Sequence, residues 1–345
     1  MESQACKKII VALILLLIII TAGCESYKDK NNSNGKLNGG LNGDLKKVRL
    51  AVSKIEATAL VRVALEKGYF EKNGLDVNFT EQDIGKFSLE EIFEDRADIA
   101  TVAETPIVKK SFEQNNFEIF ATIHRSSNNV KVIARKDSGI TVPLDLKGKK
   151  VGTSRATDGD FFLYSFLINS GLGNSDINIS YGDPQDLISS LADGKIDALS
   201  LREPHIFRAK LLLGDNAVIF SPDFIYTSTF NLVAKSNFIK NNPDIIRRFL
   251  NALIEAEDFV RENRDEAILI TSNDLQIGID YLNETWEESQ FELRLDQELM
   301  LSLDEEARWI AQNSLIDAQE IPNYLHYVNP DILNQIKKEA VTVIK

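Results

Sequence analysis

The sequence predicts an α/β fold of mixed, mostly parallel sheets flanked by helices. Short apolar runs typical of strands alternate with segments of helical periodicity along most of the chain. This order produces right-handed crossovers between parallel strands. Glycines follow several predicted helices, in the position that a left-handed cap requires. The 345 residues are also enough for two domains that each bury their own core.

The first half of the body contains five strand-like runs, with helical patterns between several of them. These runs are Val48–Val52, Leu75–Phe79, Asp98–Val102, Phe117–Ile123 and Val130–Ala134. The helix predicted over Thr58–Lys67 is followed by Gly68, which favours the left-handed conformation that ends a helix. Strands separated by helices at this spacing indicate a largely parallel sheet.

The next segment repeats the same order of elements. Its predicted strands are Val151–Ser154, Ile177–Tyr181 and Ile196–Leu201, and a helix over Asp160–Ser170 ends at Gly171. A second helix has Asp183 as its N-cap, Pro184 as its first residue and Gly194 after its last turn. These residue types are the ones preferred at those helix positions.

The last third of the chain is predicted to be helical. A helix begins at Asn242-Pro243. Its apolar residues recur with helical periodicity, at Ile246, Phe249, Leu250, Leu253 and Val260. Another helix is predicted over Leu299–Ala311. Such amphipathic helices pack one face against a core.

The charge of the chain argues against a nucleic-acid partner. The formal net charge is −13, and removing residues 1–23, which hold two lysines and one glutamate, changes it by one unit to −14. Lys and Arg occur in runs no longer than two, whereas phosphate backbones are bound by clustered cations. We interpret the acidity as favouring solubility.

Few residues suit metal, redox or covalent chemistry. The only cysteines are Cys6 and Cys24, both before the globular body, and His124, His205 and His326 lack the spacing of metal ligands. The sequence contains neither a nucleophile elbow nor a phosphate-binding Gly-Lys-Ser/Thr loop. We therefore predict no enzyme activity, no metal and no cofactor, and His124 alone among the histidines is a candidate for ligand contact.

The first 24 residues have the features of an export signal. Two lysines precede the apolar run Ile9–Ile20, which is shorter than the about 20 residues that span a bilayer. Thr21-Ala22-Gly23-Cys24 resembles a bacterial lipobox, although Thr21 stands where leucine is usual. Acylation of Cys24 would anchor the protein in a membrane. The alternative is an ordinary secretory cleavage site with an incidental cysteine.

Residues 25–44 are predicted to be a flexible tether. The segment is rich in Asn and Gly and contains few apolar side chains. Such a composition cannot bury enough apolar surface to offset its chain entropy, so we expect disorder.

Several short segments of the body resemble a known family in their order and spacing. They are Ala64–Phe70, Gly74–Val77, Ala97–Ala100, Asp145–Gly152, Gly194–Ala198, Ile321–Leu325 and Ala340–Ile344. From about Val48 to Lys345 the chain is similar to periplasmic solute-binding proteins of ABC transporters. The similarity is to their nitrate-, taurine- and aliphatic sulfonate-binding branch, which also includes thiamine-pyrimidine-precursor-like members.

The resemblance implies a type II periplasmic-binding-protein fold with a ligand cleft between two lobes. Lobe one would comprise residues 45–136 and 229–345, and lobe two residues 137–228. The crossings would lie at Lys131–Ser138 and Phe230–Ser236 and act as a hinge. The resemblance also implies a monomer outside the cytoplasm, held by its lipid anchor, that delivers its ligand to an ABC permease with a separate ATPase.

Candidate ligand residues follow from a rule for open α/β sheets, in which ligands bind beyond the carboxyl ends of strands. In lobe one the candidates are Ser53, Glu56, Thr58, Glu104, Thr105 and His124. In lobe two they are Thr153, Ser154, Arg155, Thr157, Asp158, Asp183, Arg202 and Glu203.

The charged candidates leave the sign of the ligand open. The loop over residues 152–159 offers hydroxyls and Arg155 before a helix, a composition that can bind an oxyanion, although its polar residues can equally cap that helix. Arg202 and Glu203 could contact ligand or form a salt bridge at the cleft mouth. Glu56 and Glu104 would repel an anion if buried, but would pair with an amine.

We therefore expect a solute-binding lipoprotein that delivers a sulfonate, taurine or a nitrate-like anion. A cationic or pyrimidine-type vitamin precursor is the alternative ligand, and a ligand-sensing lipoprotein is the alternative role. One eukaryotic relative of this fold makes the thiamine pyrimidine with a cysteine-rich motif and iron. A body without cysteine argues against that chemistry.

Overall fold

The computed structural model describes residues 44–82, 85–222, 225–313, 315–317 and 320–344. Within these ranges the chain forms ten strands: β1 (Lys46–Ser53), β2 (Leu75–Gln82), β3 (Ile99–Ala103), β4 (Phe117–Ser126), β5 (Val130–Arg135), β6 (Lys150–Thr153), β7 (Asn178–Tyr181), β8 (Ala198–Arg202), β9 (Ala217–Phe220) and β10 (Ser228–Lys235). The predicted signal segment, Cys24 and the tether up to residue 43 lie outside the described residues.

Helices separate most of the strands and make up most of the last third of the chain. The described α-helices are α1 (Ala59–Glu66), α2 (Tyr69–Lys72), α3 (Gly85–Phe93), α4 (Glu104–Ser111), α5 (Asp158–Asn169), α6 (Pro184–Ala192), α7 (His205–Leu213), α8 (Ser236–Asn241), α9 (Pro243–Glu262), α10 (Arg264–Leu275), α11 (Ile279–Thr285), α12 (Gln297–Gln312) and α13 (Asp331–Ile336).

The strands form two five-stranded sheets with one common arrangement. The orders are β2-β1-β3-β10-β4 in sheet 1 and β7-β6-β8-β5-β9 in sheet 2. The pairs on either side of β1 and of β6 are parallel. The pairs on either side of β10 and of β5 are antiparallel. The predicted class of mixed sheets flanked by helices is confirmed, with each sheet divided equally between the two kinds of pairing.

Local signals located the helix ends correctly. Gly68, Gly171 and Gly194 have φ values of 68°, 76° and 72°, which glycine adopts without steric cost. Asp183 is the N-cap of α6 and Pro184 is its first residue, as predicted. These signals are local because a cap depends only on residues within one turn of the helix.

The predicted crossings between the lobes are wrong. β5 pairs with β8 and β9 in sheet 2, so the strand that the prediction placed in lobe one belongs to the other sheet. The chain leaves sheet 1 between β4 and β5, and it returns between β9 and β10. The second predicted crossing, residues 230–236, lies mostly inside β10. An apolar strand has the same pattern in either sheet, so its pattern could not assign it.

We call sheet 1 and its helices the first lobe, which holds the described residues of 44–126 and 228–344. Sheet 2 and its helices form the second lobe, residues 130–220. The predicted apolar stripe of α9 is buried in the first lobe, where Phe249 packs against Phe70 with ring centroids 4.8 Å apart. Within the described ranges, no helix has both the length and the apolar character needed to cross a bilayer.

Candidate ligand-binding site

The ends of four strands bring four of the predicted side chains together. Glu56 follows β1, Glu104 begins α4 after β3, Asp158 begins α5 after β6, and Arg202 ends β8. Burial lowers the pKa of Arg202, but the carboxylates of Asp158, Glu56 and Glu104 together raise it above its usual value. The four side chains are therefore close enough for their charges to interact. The Asp158 Oδ2 and Arg202 Nη1 atoms are 3.4 Å apart. The ends of these strands from both sheets thus bring their charged side chains into one cluster, and we call this region the cleft because ligands of open α/β sheets bind at such strand ends.

Several polar atoms in this cleft are buried without a hydrogen-bond partner among the described residues. They are Glu104 Oε1, Asp158 Oδ2, Arg202 Nε, His205 Nδ1, Tyr226 Oη, Tyr281 Oη and Glu306 Oε2. The great majority of buried polar atoms in proteins are paired. A concentration of unpaired ones at a cleft is typical of a site that binds a polar molecule.

Burial controls the ionisation of the carboxylates. It raises the pKa of Glu104 to about 7, assisted by the negative charge of Asp158. Burial likewise raises the pKa of Glu306 well above its usual range, and the Glu104 carboxylate adds to the effect. The pKa of Glu56 is also raised by burial, although Arg202 opposes the shift. Removing charged carboxylates from water is unfavourable, so these groups hold protons more tightly than exposed ones.

The two histidines of the cleft do not balance this negative charge. Burial, with the charge of Arg202, lowers the pKa of His124 to about 3, and burial lowers that of His205 to about 4. Both imidazoles are therefore neutral at neutral pH. His124 Nε2 lies 3.0 Å from Ser289 Oγ, so this predicted contact residue is held within the first lobe.

The loop over residues 152–159 uses most of its polar groups internally. Ser154 Oγ donates to the Gly182 carbonyl, and Thr157 Oγ1 donates to the Ser154 carbonyl. Arg155 is exposed, with its guanidinium 5.5 Å from the centre of the Tyr181 ring. Thr153 Oγ1 is buried and has no partner within the described ranges. The loop thus contributes Asp158 to the cleft rather than an arginine clamp.

Other predicted contact residues also bond within their own lobe. Ser53 Oγ donates to the Thr101 carbonyl, and Thr58 Oγ1 donates to the Ile55 carbonyl. Glu203 accepts hydrogen bonds from Lys131 and from the Phe207 amide. Asp183 is an exposed helix cap, and Thr105 donates its hydroxyl to Glu306. In the structure these groups support neighbouring segments.

Several cleft residues lie away from any strand end, so the sequence argument missed them. Tyr226 is in the second crossing segment, Tyr281 is on α11, and Glu306 and Trp309 are on α12. One signal could have found Glu306, because this carboxylate interrupts a helical stripe of buried apolar residues that includes Leu303 and Ile310. The tyrosines left no such signal.

Backbone strain is present in the loop before α5. Ala156 has a φ of 57°, a left-handed conformation that costs a non-glycine residue about 1 kcal/mol or more. Its amide donates to Asp160 Oδ2 at 2.8 Å, and Lys109 of the first lobe donates to its carbonyl. These bonds hold the loop in this conformation at the cleft.

We expect Ala156→Gly to stabilise the protein by about 0.5–1 kcal/mol, because glycine adopts this φ without steric cost. Ala192→Gly is the control, because Ala192 is exposed in the last turn of α6, a right-handed helix. Glycine at this position should destabilise the protein by about the same amount. Urea denaturation measures both changes. If A156G is less stable than the unsubstituted protein, the conclusion that Ala156 is strained is wrong.

The described residues contain no cluster of three or more His, Cys, Asp or Glu side chains arranged to hold a metal ion. The carboxylates of Asp158, Glu56 and Glu104 instead lie close enough to Arg202 to act on its charge, and Tyr281 lies near Glu56. This arrangement suits an organic molecule with several hydrogen-bonding groups.

Comparison with known proteins agrees with this architecture. A Bacillus subtilis (strain 168) protein named for the binding of aliphatic sulfonates is 27% identical over 272 residues, which is 76% of each chain. The periplasmic aliphatic sulphonate binding protein from Escherichia coli has a TM-score of 0.73 at 17% identity, over 82% of this chain and 97% of its own. A desulfurization enzyme has a TM-score of 0.61 at 16% identity, over 85% and 99%.

The two solved structures show likeness of fold alone, because their sequence identities are low. The sequence itself identifies the family. Residues 57–267, more than half of the chain, match the family model described as NMT1/THI5 like. This protein therefore belongs to the NMT1/THI5-like family.

Proposed function

We propose that this chain is the extracytoplasmic solute-binding component of an ABC importer, and that it hands a small molecule to a permease served by a separate ATPase. The observation that carries the proposal is the cleft: strand ends of two similar sheets meet there around buried, unpaired polar atoms. Similarity to proteins named for sulfonate binding supports it.

Contacts between the lobes fit a cleft that closes around its solute. Lys131 of the second lobe lies 2.7 Å from Glu288 of the first lobe. Phe207 packs against Tyr281 with ring centroids 5.2 Å apart, and Phe161 packs against Trp309 at 5.4 Å. A solute held behind these contacts must enter while the lobes are apart. The two connections between the sheets, one after β4 and one before β10, are the hinge in this proposal.

We propose binding without a chemical reaction. The likeness to a desulfurization enzyme extends to the fold, which hosts unrelated functions on one scaffold. The body has no cysteine to serve as a nucleophile. The charged groups of the cleft can orient and select a solute without bond formation.

The proposal is tested by mixing the purified full-length protein with sulfonates, nitrate, taurine, amines and pyrimidines. A bound solute should raise the melting temperature, because it binds only the folded state. Small-angle scattering should show a smaller radius of gyration in its presence. If every compound leaves both quantities unchanged, the binding function is wrong. Cells lacking the chain should also lose uptake of the solute, whereas normal uptake would favour a sensing role.

We also propose that acylated Cys24 anchors the protein. Cys24→Ala should abolish incorporation of labelled palmitate, since the thiol is the acylation site. Cys6→Ala is the matched control, because Cys6 precedes the apolar run and should be removed with the signal segment. Equal labelling of both variants would show that Cys24 is an incidental residue at an ordinary cleavage site.

A further inference from the structure

Two carboxylates of the cleft, Glu104 and Glu306, share one pattern: one oxygen of each accepts from a protein donor, and the other has no partner. Glu104 Oε2 accepts from the Thr229 amide at 2.9 Å, and Glu306 Oε1 accepts from the Thr105 hydroxyl. Their second oxygens have no hydrogen-bond partner in the described part of the chain. Asp158 differs, because its Oδ2 atom lies 3.4 Å from Arg202 Nη1. Glu104 and Glu306 are thus each oriented with one acceptor oxygen unused.

These groups are enclosed by protein. Glu104 is 1% exposed and Glu306 is 0% exposed. Tyr226 and Tyr281 are 6% and 4% exposed, and their hydroxyls also lack partners among the described residues. The Phe161 ring centroid lies 5.5 Å from that of Tyr226 and 5.4 Å from that of Trp309, a residue of the helix that carries Glu306. A cation beside carboxylates that are enclosed in this way forms charge-assisted hydrogen bonds with them.

The charges of the cleft leave negative charge uncompensated. Lys131 pairs with Glu203, and Arg202 lies nearest Asp158. The positive charge of Lys109 interacts with Asp160 and Glu306, and its ammonium group donates a hydrogen bond to the Ala156 carbonyl. Arg202 and Lys109 thus face four carboxyl groups, Glu56, Glu104, Asp158 and Glu306, which exceed these cations in number when they are ionised.

We propose that the solute is an organic cation whose protonated amine or amidine donates hydrogen bonds to the unpartnered oxygens of Glu104 and Glu306. This inference rests on the proposed binding function and selects its ligand class. An ammonium group carries donors and no acceptor, which suits carboxylate oxygens that lack a donor. A sulfonate or nitrate offers only acceptors, so it would leave those oxygens unpaired and would be repelled by them. The anion expected from the family resemblance is therefore disfavoured by this cleft.

Proton exchange on binding distinguishes the two classes of ligand. Burial and mutual repulsion raise the pKa values of Glu104 and Glu306, so both hold protons more tightly than usual. A bound cation favours the charged carboxylates and releases protons, whereas a bound anion favours the protonated forms and takes protons up. Calorimetry at pH 7 in buffers of different ionisation enthalpy measures the sign and number of protons exchanged.

The experiment uses the purified full-length protein with benzylamine, benzamidine and 1,4-diaminobutane as cations, and ethanesulfonate and nitrate as anions. At least one cation should bind with release of protons. Glu104→Gln and Glu306→Gln should each weaken it by about thirty-fold or more, as expected when one partner of a buried charge pair is lost. Glu305→Gln changes an exposed neighbour on the same helix and should alter affinity less than about twofold.

Two kinds of observed binding would overturn the inference: an anion that binds with proton uptake, or a cation whose affinity E104Q and E306Q leave unchanged. Either would leave the binding function intact. Circular dichroism and the melting temperature of each variant exclude misfolding as the cause of a lost affinity. Failure of all five probes to bind would also overturn the choice of a cation, and the wider panel of solutes then decides separately whether the protein binds a solute at all.

Discussion

Glu306→Gln is expected to stabilise the ligand-free protein by about 2 kcal/mol at pH 8 and by almost nothing at pH 5. Glu306 is fully buried on α12, and its pKa is raised by burial and by the negative charges of Glu104 and Asp158, with Lys109 opposing. A carboxyl group whose pKa is raised on folding favours the folded state fully below its unfolded value. That contribution is lost as the pH rises through the folded value.

Glutamine keeps the oxygen that accepts from Thr105 and removes the ionisable group, so the variant should escape this pH-dependent loss. Urea denaturation at both pH values measures the difference. Glu305→Gln is the matched control, since its exposed side chain should change stability by less than about 0.5 kcal/mol at either pH. If E306Q is stabilised equally at pH 5 and pH 8, the buried charge of Glu306 is not the cause of the increased stability. A gain in stability with a loss of affinity would mark Glu306 as a residue kept for binding.

Arg62→Ala is expected to destabilise the protein by about 3 kcal/mol. Arg62 is 2% exposed in the first lobe. Its guanidinium donates to the Ser53 carbonyl at 3.2 Å, to Thr58 Oγ1 at 3.3 Å and to Asp274 at 2.7 Å, and it also pairs with Glu81. Removing it leaves space where its buried side chain packed, and it takes the shared cation away from the partly exposed carboxylates of Glu81 and Asp274.

Arg49→Ala provides the comparison, because the Arg49 side chain is 48% exposed and pairs with Asp98 at 2.6 Å. An exposed pair of this kind contributes less than about 1 kcal/mol. Chemical denaturation of both variants tests the contrast, and equal losses would contradict the structural role of Arg62. Since Arg62 also fixes the segment that carries Glu56, the R62A variant should bind solute more weakly.

Local patterns predicted most of the fold. The strands from β1 to β8 and the helices α1, α5, α6, α9 and α12 lie within a few residues of their predicted positions. The apolar period of a strand or helix and the glycine or proline at its end act within a few residues, so sequence alone reveals them. The short strand β9 and most of β10 were missed, because residues 230–236 were assigned to a crossing.

The strand-end rule found only part of the candidate site. It found Glu56, Glu104, Asp158 and Arg202, since the carboxyl ends of strands in a sheet face the same side. It also selected Ser53, Thr58, Ser154 and Asp183, which bond or cap within their own lobe or lie at the surface. Whether a polar residue lines a cleft or supports a loop depends on partners far away in sequence.

The amino-acid sequence by itself determined the kind and order of the elements, the caps of the helices and the membership of the family. The tertiary structure alone decided that β5 joins sheet 2, and that Tyr281 and Glu306 lie near the charged residues at the strand ends. The physical reason is the range of the interactions. Helix periodicity and capping are settled within a few residues, whereas sheet membership and the sign of the charge in the cleft depend on residues that only folding brings together.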